Sequence, residues 1–106
     1  MSRPLPPAVQ KLIDAFGQDL PKRCAALAEA LPQSPDTEAL TEFGGAVHKL
    51  AGSSGSYGFR AVSEALRQLD AHIQDVLKDG ASWDAQRAGG YLQAAQKAAL
   101  EATAQP

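Results

Sequence analysis

The chain has a single cysteine, Cys24, so it can form no disulfide within itself and build no cysteine metal cluster. A small, buried, apolar role is expected for it. No apolar run exceeds a few residues, far short of the roughly 20 that span a bilayer, and the N-terminal MSRPLPPAV has neither a hydrophobic signal core nor a cleavage site. A cytoplasmic location with no membrane partner is the expectation. An excess of positive charge is also missing: ten Lys and Arg stand against twelve Asp and Glu, the formal net charge is −2 and the pI is near 5.6. Nucleic acid and anionic membranes favour a basic face, so a protein partner suits this surface better. Period-two alternation and tight turns between β-branched runs are absent, which excludes strands. There are no tandem repeats or long charge blocks. A GxxxxGK[ST] loop, a glycine-rich kinase loop and an obvious carboxylate metal cluster are lacking too, so no nucleotide, cofactor or metal is expected to be bound by this chain alone.

What is present is enough for one domain, 1–106. Its 106 residues are 44% hydrophobic and 21% charged, the composition of an ordinary globular protein, here expected to be a monomer with flexible ends at about 1–6 and 104–106. From Pro6 or Pro7 onward, Val9, Leu12, Ile13, Phe16, Leu20, Cys24, Leu27 and Leu31 fall on one helical face. Gly17 and Pro21 interrupt it, since proline lacks a backbone donor and clashes with the carbonyl four residues back. A short helix to about Phe16 and a second from Asp19, its cap, to Leu31 are predicted, with one kinked helix as the alternative. PQSP at 32–35 is a stop, and Asp36 and Glu38 put negative charge at the start of a helix running to about Tyr57. Gly58 suits a left-handed closure, after which Phe59, Val62, Leu66, Leu69, Ile73 and Val76 form a second stripe that ends at Lys78-Asp79-Gly80. Ser82 is the predicted cap of a last helix with Trp83, Ala88, Tyr91, Leu92, Ala95 and Ala99 on its apolar face. The expected fold is all-α: an antiparallel up-down four-helix bundle with a short additional N-terminal helix.

The stretch FGGAVHKLAGSSGSYGF, Phe43 to Phe59, is the least ordinary. Leu40, Phe43, Val47, Leu50, Ser54 and Tyr57 form the buried stripe of a helix, and His48 lies roughly 130° away from its centre, facing outward. Its helical neighbours are Gly44, Gly45, Ala51 and Gly52, with Gly55 one turn further on. Each helix-interior glycine costs about 0.8–1 kcal/mol relative to alanine. Close approach of another helix, or a segment that is not helical at all, would explain them, yet the glycines cluster around the histidine rather than on the apolar stripe. These five residues are therefore the expected partner-binding face, with the imidazole standing in a clearing. A ring nitrogen is a better nucleophile when the other nitrogen donates to an acceptor that fixes the tautomer. His48 lies ten residues before Gly58 and Asp70 twelve after it, so an antiparallel hairpin sets them at nearly one height. Asp70 is the candidate acceptor, a solvated surface carboxylate being the alternative. His72, beside Leu69 and Val76, is expected on the flank of a packed helix, and with His48 it lacks a third metal ligand.

The segment HKLAGSSGSYGF, His48 to Phe59, resembles the signature of histidine phosphotransfer (HPt) domains, matching it at His48, Lys49, Leu50, Gly52, Ser53, Ser54 and Gly58. The resemblance implies a helical bundle and a phosphocarrier with no ATP site of its own. His48 would accept a phosphoryl group from a receiver-domain aspartate or hybrid sensor histidine kinase and pass it to a response regulator receiver. The receiver would supply the Mg²⁺ and most catalytic groups. Ala51 departs from the pattern, because many members carry a lysine there that helps hold the phosphoryl group. Lys49 is a possible phosphoryl charge partner, although it sits about 100° round the helix from His48 and would have to reach; a solvent-facing or partner-contacting lysine is the alternative. Arg60 and Arg67 are expected to decorate the surface or to contact an acidic receiver face. The competing function is a non-catalytic helical adaptor that uses the glycine face only for docking; a hydrolase or metal enzyme fits less well.

Overall fold

The computed structural model describes residues 5–104, and the ends expected to be flexible fall largely outside them. Four helices and no strand are present among the described residues: α1 (Pro7–Ala30), α2 (Thr37–Ser56), α3 (Arg60–Asp79) and α4 (Ala85–Ala104). None of them is long and apolar enough to cross a membrane.

The helix ends follow from local chemistry. Asp36 caps α2, its carboxylate accepting from the Ala39 amide at 2.7 Å. At the other end of α2, Gly58 is left-handed, with φ +88°. The Phe59 amide there donates to the Ser54 carbonyl at 2.8 Å and the Gly58 amide to that of Gly55 at 3.1 Å, the two bonds of a Schellman closure. The cap of α4 is Asp84 rather than Ser82, its side chain accepting from the Arg87 amide at 2.9 Å. The helix starts late because Trp83 is held elsewhere: its indole N–H donates to the Pro32 carbonyl at 2.9 Å and its ring stacks on His72.

The N-terminal half also corrects the expectation of an extra helix. α1 runs unbroken through Pro21, with Phe16, Leu20, Cys24 and Leu27 buried along one face. Those four residues keep a single helical phase across Gly17 and Pro21, so a break would have rotated one half of the stripe out of the core. Packing outweighs the one missing hydrogen bond. Gly17 adds to this by letting Phe59 lie against the helix, where a Cβ would come within 2.7 Å of the ring.

Around the bundle α2 packs on α3, α3 on α4 and α4 on α1, whereas α1 and α2 barely touch. Neighbours are antiparallel: Gly55 meets Ser63 while Gly44 meets Ile73, and Leu31, just past the end of α1, lies against Gly89 near the start of α4. Leu20, Val47, Leu66, Leu69, Ile73 and Leu92 fill the centre, and Ala88, Ala95 and Ala99 let α4 come in close.

Because Pro21 lies inside a continuous helix, Pro21→Ala should add the missing bond to the Gly17 carbonyl. A gain of about 1–2 kcal/mol is expected, less than the ~3 kcal/mol intrinsic difference because the unfolded chain also becomes freer. Thermal denaturation should show a rise of several degrees. A melting temperature unchanged or lowered would mean that the chain is broken at this point.

Candidate functional site

His48 projects from the middle of α2 with 79% of its side chain exposed. Its Nδ1 lies 2.9 Å from Oδ2 of Asp70 on α3, a carboxylate that is only 19% exposed. An ionised carboxylate can only accept, so Nδ1 carries the proton and donates it. In the neutral ring the lone pair is then on Nε2, which has no partner among the described residues. Asp70 is itself steadied at its other oxygen by Gln74, at 3.5 Å.

The hairpin register follows from the turn. His48 and Asp70 are equidistant in sequence from Phe59, as are Ala51 and Arg67, and Gly55 and Ser63. The contacts agree with that symmetry: the Ser63 hydroxyl donates to the Ala51 carbonyl at 2.9 Å and its Oγ stands 3.1 Å from where a Gly55 Cβ would be.

The glycine-rich clearing divides into two kinds of position. Gly45 and Gly52 face open space, with no atom within 4 Å of an added Cβ. Gly44, by contrast, is buried against α3, where a Cβ would come within 2.9 Å of Ile73. Gly44 is thus a packing glycine and is unavailable to a partner. Ala51 is also withdrawn, at 3% exposure, and forms the floor of a cleft of about 340 Å³ lined by His48, Gly52, Arg67 and Asp70. Gly55 is exposed but lies close to Ser63. The sequence placed Gly44 in the clearing because adjacent helix positions differ by only about 100°, and a small error in the stripe's centre decides which side of the rim each falls on.

Lys49 is not beside the imidazole cleft. It lines a separate groove between α1 and α2, with Arg23, Leu27 and Leu50. The cation in the His48 cleft is Arg67, which the sequence suggested as a surface residue or a contact for an acidic receiver face but not as a neighbour of the imidazole. The count about Phe59 that pairs His48 with Asp70 would have found it.

His72 is buried and committed to structure. Its Nε2 accepts from the Asp84 amide at 3.1 Å, and its ring lies 5.2 Å from that of Trp83. Among the described residues no group of three His, Cys, Asp or Glu is placed to hold a metal ion. Cys24 is buried in the core, and desolvation pushes its thiol up to about 11, so it is not a nucleophile near neutral pH.

A single exposed, tautomer-fixed imidazole with an open glycine face can act as a nucleophile toward a group delivered by another molecule. A family model described as Hpt domain matches residues 11–105. No curated protein and no solved structure matches the chain.

The two kinds of glycine predict opposite responses to one added methyl group. Gly45→Ala should stabilise the domain by about 0.5–1 kcal/mol through helix propensity alone. Gly44→Ala gains the same propensity but strains the contact with Ile73, so it should fall below Gly45→Ala by about 1–3 kcal/mol. Equal melting temperatures for the two variants would contradict the close contact.

Proposed function

The chain belongs to the Hpt domain family and so has a phosphotransfer role in two-component signalling; from that premise we propose that His48 is its phosphoacceptor and Asp70 the partner that orients it. The observation that carries this reading is the hydrogen bond from His48 Nδ1 to Asp70, which makes Nε2 the lone-pair nitrogen of the neutral, exposed ring.

Transfer would begin with the Nε2 lone pair attacking the phosphorus of an aspartyl phosphate on a receiver domain. The Nε2–P bond forms as the P–O bond to the receiver's carboxylate breaks, and the bonding pair stays on that carboxylate. The ring then carries a positive charge, because Nδ1 keeps its proton. Asp70 offsets that charge and holds the ring in one orientation. Return of the electron pair to Nε2 as a second receiver's carboxylate attacks completes the relay. Mg²⁺ is expected to come with the receiver. Hybrid sensor kinase and response regulator receivers are the expected donor and acceptor; Gly45 and Gly52 would form the surface on which they dock.

The direct test is to incubate the domain with several receiver domains that have been phosphorylated by a small phosphodonor in the presence of Mg²⁺. Intact mass should show one acid-labile, base-stable phosphoryl group. His48→Gln should abolish it with little change in melting, and His72→Gln should keep it. Labelling that survives His48→Gln would overturn the assignment, and no labelling from any receiver would favour an adaptor.

Gly52→Gln separates docking from packing at the neighbouring position. The helix should gain several tenths of a kcal/mol, whereas transfer should slow on the order of a hundredfold, because in-line attack tolerates little displacement. Melting temperature and transfer rate on this variant decide the matter. A destabilised protein, or a stable one that transfers at the original rate, defeats the docking role.

A further inference from the structure

The cleft beside His48 holds a cation whose charge nothing in the described structure uses. Arg67 comes from α3 and lines that cleft together with His48, Ala51, Gly52 and Asp70. By the hairpin register it stands opposite Ala51, about one helical turn along α2 from the imidazole. Arg67 is exposed, and its guanidinium has no hydrogen-bond or ion-pair partner among the described residues. This is so although Glu64 and Asp70 sit three residues to either side on the same helix, the spacing at which such pairs meet. Asp70 is engaged by His48. One terminal nitrogen of Arg67 lies 3.7 Å from where a Gly55 Cβ would be, so the head rests over a stretch of α2 that has no side chain to obstruct it. The other nearby cation, Lys49, lines the groove on the α1 side.

Building on the phosphoacceptor reading above, we infer that Arg67 binds the oxygens of the phosphoryl group on His48. A phosphoryl group at Nε2 brings between one and two negative charges and three acceptor oxygens into a cleft whose lining has one free cation. A guanidinium presents two parallel N–H donors to such oxygens, and it is the more weakly hydrated of the two cationic heads, so it gives up water readily. The stem of Arg67 needs only to swing along the open glycine face to reach. Arg67 would thus supply from α3 the charge that a lysine at position 51 would have supplied from α2. Arg67 also lines the next cleft along the seam, whereas Arg60 lines that one and not the cleft of His48.

The test charges the domain with phosphoramidate, which needs no receiver: the Nε2–P bond forms as the P–N bond breaks and ammonia leaves with the bonding pair. Titrating the phosphoryl group by ³¹P NMR then reads the charge beside it directly. A nearby guanidinium favours the dianion and lowers the midpoint. Arg67→Ala and Arg67→Gln should therefore raise the midpoint by about 0.5 of a pH unit or more. Arg67→Lys should stay near the wild-type value. The gap between wild type and Arg67→Ala should narrow at ~1 M salt, as expected for an exposed pair. Arg60→Ala should leave the midpoint unchanged. Equal midpoints for wild type and Arg67→Ala, or an equal shift from Arg60→Ala, would overturn this assignment while leaving His48 as acceptor. Failure of the wild type to take a phosphoryl group on His48 would instead remove the phosphoacceptor reading itself.

Discussion

With φ at +88°, Gly58 closes α2 in a conformation that a side chain would strain, and its own amide and that of Phe59 donate back into the last turn. The chain therefore leaves α2 and enters α3 with no slack. A loop even one residue longer would shift the register, and each partner on α3 would move along and around relative to α2. Instead Phe59 acts as a pivot. It packs on Gly17 and lies 5.7 Å from the Phe16 ring, which itself stacks on Tyr57, so the turn is anchored to α1 as well. The hydrogen bond between His48 and Asp70, the contact between Ser63 and the Ala51 carbonyl, and the placing of Arg67 over the glycine face all inherit that register.

Much of this was legible in the sequence, because hairpin register is arithmetic once the turn is located. Gly58 located it, and counting outward paired His48 with Asp70. The same counting reaches Arg67 from Ala51, but a residue matched against alanine gives no chemical reason to look. Two other features depended on competition between local and tertiary effects. Proline at position 21 signals a helix end by its missing donor, yet Leu20 and Cys24, both wholly buried, hold the helix in phase across it. Ser82 is as good a cap by propensity as Asp84, and the choice between them is made by Trp83, whose partners, Pro32 and His72, lie far off in sequence. The burial of Gly44 beside the openness of Gly45 was likewise out of reach, because it turns on the position of Ile73 on another helix.

Under the proposal that His48 is the phosphoacceptor, its placing also explains why the chemistry would depend on a second molecule. The ring is four-fifths exposed, and its Nδ1 bond fixes orientation and tautomer without enclosing Nε2. A nucleophile left in water reacts slowly unless a second molecule brings the electrophile into line and excludes solvent. Such a site gains nothing from a pocket of its own, since walls around Nε2 would keep the partner away. Under the same proposal two partners would use the same nitrogen in turn, each bringing its own means of stabilising the charge in flight.

An open face of this kind weakens the helix that bears it, and the rest of the bundle has to compensate. Gly45 and Gly52 gain no packing in return for their backbone freedom, since nothing lies within 4 Å of the missing side chains. At about 0.8–1 kcal/mol each relative to alanine, they would leave α2 marginal as an isolated helix. Its stability comes from the opposite side, where Val47 is wholly buried and Leu40, Phe43 and Leu50 nearly so, against an α3 that buries Leu66, Leu69 and Ile73 completely. Gly44 belongs with that buried side, because its bareness brings α2 and α3 together at Ile73. The same shortening of the gap sets the distance across which Asp70 reaches His48. One glycine therefore tightens the hairpin that positions the imidazole, while Gly45 and Gly52 leave the imidazole approachable, and the open face can stay bare because the packed face is not.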